Sequence, residues 1–586
     1  DWSSDVCSSD LIPYISLRFS KAEVQKWGVN FNRFTRTNNE SAYWNPINPN
    51  IAGIVNQFGS LEGIECVKPS LRLSFLPYIS SGYRSSPVGG SRENEFLRSG
   101  GMDVKCGVNE SFTLDATLVP DFGQVISDNN VLNLSPYEVR FQENRPFFTE
   151  GTELFNKAEL FYSRRIGLTP AGYYSVKDMA AADSNLEIIK NPGVTQLINA
   201  VKFSGRNKKN LGIGIFNAVS APMYATIKNR QTNSTEEIQT APLTNYNVLV
   251  LDKALKGRSS VTFTNTSVLR SGSSSDANVS SLDFALFDHK DMYSISGALR
   301  YSAIRGANKQ DGYNSFLSVG KVSGKFQFNI SQNIESENYN PNDLGYLQAP
   351  NEFTTRGTFS YKQLTPTRNF LTYVYSLGLT NRYLYQPFSW NEFQVSASAF
   401  YLFKNFWDLT LVYETKPTWQ QDYFELRTPG RMVRMMPWYY VGFNGSSDSR
   451  KRFFAGLDVG FANTRAFKNS EFYRGQGNVR YRFSDWLSAE LSAEANVDNG
   501  NVGYAFQREA NGDPILGRRN VKIVSTVLSG TVNFTARMFL TFRARHYWSR
   551  VNYISYFGVD DKGYWIRSEE HTSELQSRQY LVCRLL

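Results

Sequence analysis

The chain has 586 residues and a formal net charge of +10, and 15% of its residues are aromatic although its mean hydropathy is only −0.39. A single soluble core stops growing at about 250–300 residues, yet no Pro-rich, Gly/Ser-rich or highly charged linker divides this sequence. No apolar run approaches the ~20 residues of a membrane helix. Lys and Arg are dispersed and form no basic stripe, so we expect no nucleic-acid partner.

The two ends of the chain differ from everything between them. Residues 1–11 and 568–586 show neither strand alternation nor turn chemistry, and they resemble translated sequencing-adapter read-through. We therefore interpret them as an artefactual leader and an artefactual tail. Between them only Cys66 and Cys106 are left, in no metal-binding spacing. We expect two unrelated thiols, with a disulfide as the alternative.

The first native segment, residues 12–44, predicts two strands. Apolar side chains alternate at Ile15, Leu17 and Phe19, and again from Trp27 to Phe31, which is the two-residue period of a half-buried strand. Two strands bury too little surface for a core of their own. We interpret the segment as the end of a domain whose beginning is missing.

From Pro69 onward a long series of strands is predicted, after a loop-like stretch at 45–68. Leu71, Leu73 and Phe75 alternate with polar residues, and Pro77 is expected to interrupt that run. The segments that follow have one apolar or aromatic face and one polar face. They are 112–118, 211–216, 259–269, 293–301, 325–331, 393–401, 409–413, 477–483, 487–495 and 532–545.

These segments predict a large antiparallel transmembrane β-barrel, which we assign to residues 45–567. Most have about the length that crosses a bilayer obliquely, and polar loops are expected at 271–278, 335–351 and 498–519. We expect 18–24 strands in a truncated, unclosed barrel, because the sequence stops before a native end. Soluble alternatives are a propeller, which lacks its repeat here, and tandem sandwiches, whose strands are shorter.

Residues 119–167 break this pattern and are expected to form a plug-like insert. Acidic and arginine side chains are dense in it, and no two-residue period is present. Three interpretations remain open: ion pairs that fix a plug, a site for Ca²⁺ or sugar hydroxyls, and a catalytic carboxylate pair. The residues proposed for a ligand site or plug charge network are Asp121, Glu138, Glu143, Arg145, Glu150, Arg164 and Arg165. Phe147 and Phe148 are proposed to stack on a ring.

Other chemistry finds little support in the sequence. His289 and His546 are isolated in strand contexts, so no zinc site is predicted. No nucleophile elbow or phosphate loop occurs. We assign no catalytic residue, no metal and no cofactor.

The irregular segment also carries a family resemblance. The stretches VPDFGQV from Val119, ENRPFFTEG from Glu143 and FYSRRIG from Phe161 resemble a Gram-negative outer-membrane barrel family of unknown function. The resemblance covers residues 12–567. It implies an N-terminal sandwich like carbohydrate-binding modules of family nine, of which 12–44 would be the end.

The sequence and this resemblance together lead to one expectation and two alternatives. We expect a non-enzymatic protein of the bacterial outer membrane, in contact with its lipid and lipopolysaccharide, that binds or passes a glycan or nutrient. One alternative is a membrane-embedded hydrolase that uses carboxylates of the insert. The other is a structural barrel that docks partner proteins of a secretion or uptake complex.

Overall fold

The computed structural model shows an all-β protein, as the sequence predicts. It describes residues 14, 19, 22–35, 40–51, 53–67, 73–88, 91–109, 111–120, 128–129, 131–306, 309–464, 470–508, 512–535, 538–567 and 582–585. No helix among them is long and apolar enough to span a membrane.

Four short strands form the N-terminal part. They are β1 (Val24–Val29), β2 (Asn32–Thr35), β3 (Glu40–Tyr43) and β4 (Gly59–Glu65). β1 pairs with β4 and β2 pairs with β3, both antiparallel. The predicted run at Ile15 and Leu17 lies outside the described residues. The alternation from Trp27 to Phe31 is divided between β1 and the start of the β2 hairpin, because the chain turns at residues 30–31.

The next part of the chain contains the insert and the first strands of the main sheet. Its strands are β5 (Leu73–Val88), β6 (Ser91–Gly107), β7 (Phe112–Leu118), β8 (Leu186–Lys190), β9 (Leu197–Arg206), β10 (Leu211–Ser220), β11 (Met223–Asn229) and β12 (Thr235–Ala241). Its helices are α1 (Pro146–Thr149) and α2 (Tyr173–Ala182). β8, β11 and β12 form a small sheet of their own.

Long meandering strands follow. They are β13 (Thr244–Ala254), β14 (Ser260–Arg270), β15 (Asp276–Phe287), β16 (Tyr293–Arg305), β17 (Gln310–Lys321), β18 (Phe326–Glu335), β19 (Glu352–Gln363), β20 (Phe370–Leu384), β21 (Trp390–Phe403) and β22 (Asp408–Lys416). Each pairs antiparallel with the next in the chain. A short hairpin, β23 (Gln420–Asp422) and β24 (Val433–Met435), then interrupts the meander.

The remaining strands complete the main sheet. They are β25 (Trp438–Ser446), β26 (Phe453–Thr464), β27 (Glu471–Arg482), β28 (Leu487–Gln507), β29 (Pro514–Thr535), β30 (Met538–Val559), β31 (Trp565–Arg567) and β32 (Val582–Leu585). Among the described strands, twenty-three share this sheet, a number within the expected 18–24. In hydrogen-bonded order β32 follows β31 and precedes β5, and it also pairs with β30. β32 lies in the segment that we interpreted as a foreign tail.

The two faces of the main sheet differ in chemistry. On β14 the residues Thr262, Thr264 and Thr266 are buried on the face that we call inner, whereas Val261 and Phe263 lie on the outer face. The same alternation continues along the sheet. Exposed apolar residues of the outer face include Leu251, Leu282, Leu299, Leu317, Ile330, Leu377, Leu411, Val441, Leu457, Leu491 and Leu528. The sheet therefore has an apolar outer face and a largely polar inner face.

Connections differ in length between the two ends of the sheet. At one end the turns are short, for example at 207–210, 255–259 and 288–292. At the other end lie the long connections 119–196, 221–243, 336–351 and 417–437. The N-terminal part contacts the short-turn end, where Asn56 donates to Asp291 over 3.0 Å.

Three predictions about local structure are wrong. Pro77 does not interrupt its strand, since it pairs with Met102 inside β5. Among the described strands only the four-residue β32 lies on the other side of β5, so Pro77 is near an edge, where a missing N–H costs little. The run 532–545 is the end of β29 and the start of β30 rather than one strand. The expected loop 498–519 is mostly strand, since a bulge after Asp498 lets β28 continue.

Candidate functional site

The insert packs on the inner face of the sheet through an apolar core. Phe148, Leu154, Phe155 and Ile166 are buried against side chains of β9, β10, β13, β14 and β15. Phe155 is completely buried. Burial of this kind contributes about 1.5–3 kcal/mol for each large apolar side chain, so the core attaches the insert firmly to this part of the sheet.

Two glycines of β10 allow the insert to come this close. A Cβ atom at Gly212 would lie 2.9 Å from Leu154, and one at Gly214 would lie 3.2 Å from Phe155. Real Cβ contacts are rarely so short. The alternating Gly212-Ile-Gly214 pattern therefore provides a groove on the inner face, while the side chain between the two glycines points to the outer face.

The most buried ion pair of the insert joins Glu143 and Arg145. The Arg145 guanidinium donates to both oxygens of Glu143 over 2.8 and 2.6 Å. It also donates to the carbonyl oxygens of Ser163 and Ile166, over 2.7 and 2.8 Å. Its carbon Cζ lies 4.2 Å from the centre of the Phe148 ring. Arg145 thus joins the start of the insert's helical turn to the segment 163–166.

Electrostatics keep Glu143 ionised. Burial alone would raise its pKa, but the hydrogen bonds from Arg145 and Ser163 outweigh that effect and hold the pKa below its usual range. The Ser163 hydroxyl donates over 2.6 Å. A carboxylate in this state accepts hydrogen bonds and does not supply a proton near neutral pH.

Arg165 and Glu138 form a second, bidentate pair. The two N–H···O distances are 2.9 and 2.8 Å, and Arg165 also donates to the carbonyl oxygen of Gly345 over 3.0 Å. The Tyr346 hydroxyl donates to the carbonyl oxygen of Glu138 over 2.7 Å. This pair therefore attaches the insert to the long connection 336–351.

Arg164 lies between the Glu143–Arg145 pair and the start of the insert, with its Nε 4.0 Å from Glu143. It donates to Asp128 over 2.7 Å and to the carbonyl oxygen of Gln142. Through these hydrogen bonds Arg164 holds two stretches of the insert together. Asp121, the first residue of the proposed network, lies outside the described residues.

Glu150 and a buried lysine form the contact with the sheet. The Lys105 ammonium lies 2.9 Å from Glu150, and this hydrogen bond lowers the pKa of Glu150 against a weaker effect of burial. Lys202 of β9 is only 2% exposed, and its ammonium donates to the carbonyl oxygens of Phe147 and Glu150. A buried ammonium is costly unless it is hydrogen-bonded, so Lys202 fixes the backbone of the insert.

The two phenylalanines proposed for stacking are occupied by the protein itself. Phe148 is 3% exposed and contacts Phe216 of β10 with ring centres 6.1 Å apart. Phe147 packs edge-on against Phe148 and lies under Lys202, whose ammonium is 4.4 Å from the ring centre. In this conformation these rings contribute to the core that holds the insert.

Away from this core the insert makes polar contacts with other parts of the sheet. The backbone N–H of Leu132 donates to the Tyr547 hydroxyl of β30 over 2.9 Å. Arg427, in the long connection 417–437, donates to the carbonyl oxygens of Leu134 and Ser135 over 3.2 and 3.1 Å. On this side hydrogen bonds are accompanied by one aromatic contact, between Tyr137 and Phe424 with ring centres 6.3 Å apart, and among the described residues no buried apolar cluster joins the insert to the sheet as one does beside β10.

This arrangement holds the insert in position, and the carboxylates of Asp128, Glu138, Glu143 and Glu150 are paired with arginine or lysine side chains. Within the described part of the chain no group of three or more His, Cys, Asp or Glu side chains could hold a metal ion. Cys66 and Cys106 are both free thiols, so the disulfide alternative is not realised in this structure.

Sequence reasoning missed several residues of this site. Lys105, Lys202 and Ser163 were not singled out, although each binds a proposed residue. A signal for Lys202 exists: it alternates with Ala200 and Ser204 on the small, polar face of its strand, which is the inner face. The other two partners become neighbours only in the folded chain.

The fold and site define an all-β protein in which one large antiparallel sheet carries a charged and aromatic insert on its polar face. The sequence assigns the chain to a family. Residues 69–581 match the family described as Domain of unknown function (DUF5916), and the chain belongs to that family. Among curated proteins, none is significantly similar to it.

Proposed function

We propose that this chain is an outer-membrane β-barrel protein, plugged by its insert, that binds and admits polar solutes such as glycans. The observation that carries the proposal is the division of the sheet into an apolar outer face and a polar inner face. An exposed face of this size made of Leu, Val and Phe is unfavourable in water. In a bilayer the same face contacts lipid chains, which are as apolar as its side chains.

Aromatic side chains support a membrane position. On β19 and β20, Phe353 and Tyr383 pack together near one end, and Tyr361 and Tyr373 pack together near the other. Eight residues separate Phe353 from Tyr361, or about 27 Å along a strand. With a strand tilt of about 40°, that spacing corresponds to two interfacial girdles at the edges of an apolar band about 25 Å tall.

Contacts of the insert support closure of the sheet into a barrel. Leu132 of the insert contacts β30, and Phe148 contacts Phe216 of β10. Sixteen residues reach at most about 58 Å, whereas β10 and β30 are sixteen strand spacings apart along the meander, or about 77 Å in a flat sheet. A sheet that curves around the insert brings both strands within reach, and the order β31–β32–β5 provides the seam. The proposal therefore replaces the expected unclosed barrel by a closed one.

The different loop lengths at the two ends of the sheet support an orientation of the chain in the membrane. Outer-membrane barrels have short turns on the periplasmic side and long loops outside. The short-turn end also contacts the N-terminal strands, since the N–H of Gly324 donates to the carbonyl oxygen of Asn50 over 2.8 Å. We place those strands in the periplasm and the long connections, together with lipopolysaccharide, on the outer side.

The uneven attachment of the insert supports a role in passage. Apolar packing fixes it beside β10, whereas polar contacts that water can replace join it to Arg427 and Tyr547. The hydrogen bond between the neutral groups of Leu132 and Tyr547 contributes only about 0.5–1.5 kcal/mol, and those of the charged Arg427 about 1.5–3 kcal/mol each. Solutes would therefore pass on the side of β25–β30, where loosening the insert costs least.

Single-channel recording in planar bilayers tests the proposal. We expect rare or small openings for the full chain and frequent openings for the double variant Arg427→Ala/Tyr547→Phe, which keeps the apolar core intact. Arg230→Ala, which removes an exposed ion pair with Glu187, is the control and should behave like the unchanged chain. A chain that remains in the aqueous phase contradicts the membrane assignment. A chain that inserts while the double variant never conducts contradicts passage.

A further inference from the structure

A cavity separate from the insert lies at the long-connection end of the sheet. The ends of β25, β26, β27 and β28 and the β23–β24 hairpin surround it, and its volume is about 390 Å³. Small-molecule sites have roughly 300–1,000 Å³. Its lining includes Asp422, Trp438, Ser470, Asp498, Asn499 and Trp565.

Hydrogen bonds and packing hold the walls of the cavity in place. The Asp422 carboxylate accepts the backbone N–H groups of Phe424 and Glu425, both over 2.8 Å. Asp498 accepts the amide of Asn501 over 2.8 Å. The hairpin itself is anchored by Val433, which is fully buried in a cluster with β29 and β30. The cavity is therefore already formed without a ligand.

One polar group in the lining has no partner among the described residues. The Ser470 hydroxyl is buried, with the residue 3% exposed, and it forms no hydrogen bond there. Leaving a buried hydroxyl unsatisfied costs about 1–3 kcal/mol. Because the oxygen itself is enclosed, a ligand hydroxyl in the cavity satisfies it only after the Ser470 side chain rotates toward the cavity.

The remaining lining selects the class of ligand. Trp438 and Trp565 offer aromatic faces, and Asn463 and Asn499 offer amides, whereas the Gln420 amide already donates to two backbone carbonyl groups. A flat apolar ligand would leave the two asparagine amides unsatisfied. Anionic ligands are disfavoured because the one lining cation, Lys416, is already paired with Glu392 over 2.5 Å and the other charged groups of the lining are carboxylates. A sugar ring combines an apolar C–H face with a rim of hydroxyl groups.

We propose that this cavity is a saccharide-binding site for one or two sugar rings. The proposal deepens the proposed function, on which it rests for its place at the outer mouth of a barrel. The hairpin segment that covers the site also contacts the insert, because Phe424 packs against Tyr137 with ring centres 6.3 Å apart. A saccharide bound here lies next to the polar contacts that we expect to loosen during passage.

Isothermal titration calorimetry on the full chain in a non-glycosidic detergent tests the site. The probes are the disaccharides maltose, cellobiose and N,N′-diacetylchitobiose. We expect saturable one-to-one binding of at least one of them. Trp438→Ala should weaken that binding roughly five- to tenfold through lost stacking. Asn499→Ala, which removes a polar group and leaves the aromatic walls intact, should weaken it about threefold.

Trp407→Ala is the matched control, because Trp407 is a half-exposed tryptophan in a turn at the opposite end of the same sheet. It should bind as the unchanged chain does. Heat-modifiable migration on gels identifies variants that fold. The proposed site is refuted if no probe gives a binding heat. It is also refuted if both cavity variants fold and bind the probe as the unchanged chain does. If no probe binds while the channel experiment succeeds, only the site fails. If a probe binds while nothing conducts, the site stands and passage fails.

Discussion

Replacing Arg145 by methionine is expected to destabilise the insert strongly. The guanidinium is 6% exposed and makes hydrogen bonds to both oxygens of Glu143 and to two backbone carbonyl groups. Methionine keeps most of the side-chain volume but loses the contact between the guanidinium and the Phe148 ring. The variant therefore removes the charge, its hydrogen bonds and that contact.

The expected loss of stability follows from the charge of Glu143, which stays behind when Arg145 is replaced. Removing one member of a buried ion pair costs about 3–5 kcal/mol, because the other charge stays buried without compensation. Glu143 is in that position, with its side chain only 14% exposed. The matched control is Arg230→Met, whose partner Glu187 is 46% exposed. Pairs of that kind contribute about 0–1 kcal/mol.

Urea unfolding in detergent micelles, combined with limited proteolysis of the insert, measures the loss. A second substitution sharpens the test: Glu143→Gln added to Arg145→Met removes the orphaned charge and should recover part of the stability. A loss for Arg145→Met no larger than that for Arg230→Met would refute the reasoning. So would a double variant that is less stable than Arg145→Met alone.

The pH dependence of the unchanged chain has a fixed sign. The pKa of Glu143 is lower in the folded protein than its ordinary value of 4.5. The unfolded chain therefore binds its proton first as pH falls, and the pair's stabilisation is complete above about pH 4.5 and is lost as pH falls through the folded-state pKa. The difference in unfolding free energy between the unchanged chain and Arg145→Met should shrink in acid below that value. A constant difference from pH 7 to pH 3 would contradict this role of Glu143.

Three further predictions concern the sheet and its insert. Leu299→Arg on the outer face should impair assembly in membranes by about 2–4 kcal/mol, whereas Leu255→Arg in a short turn should change folding yield little; equal yields would argue against a lipid-facing wall. Phe155→Ala should cost about 3–5 kcal/mol in urea unfolding because it empties a fully buried position, with exposed Phe388→Ala as the milder control. Lys202→Met should speed proteolysis within the insert while leaving the urea midpoint of the sheet nearly unchanged, and an unaltered cleavage rate would contradict its contact with the insert backbone.

The strands could be predicted because their pattern is local. A two-residue alternation such as Val261 to Thr266 specifies which side chains share a face, whatever lies elsewhere in the chain. The same property explains the errors in strand boundaries. Alternation from 532 to 545 does not reveal that β29 ends and β30 begins inside it, since the residues of both strands keep the same period.

The insert could be located by its composition, but its partners could not. Glu143 and Arg145 are two residues apart, so that pair was within reach of the sequence. Arg165 binds Glu138 from 27 residues away, and Lys202 binds the backbone of Phe147 from 55 residues away. Neither separation matches the period of a helix or a strand, so no local sequence pattern indicates these contacts. They form only because the chain folds back and brings distant residues together.

By itself the sequence determined the all-β class, the two chemically different strand faces and the position of the charged insert. Those properties depend on residues within a few positions of one another. Only the tertiary structure decided that Phe148 is part of a core rather than an open ring, and that Trp438, Ser470 and Trp565 line one cavity beneath the β23–β24 hairpin. Burial at these positions comes from strands that are distant in the chain, and their proximity is a consequence of the order of strands in the sheet rather than of any local pattern.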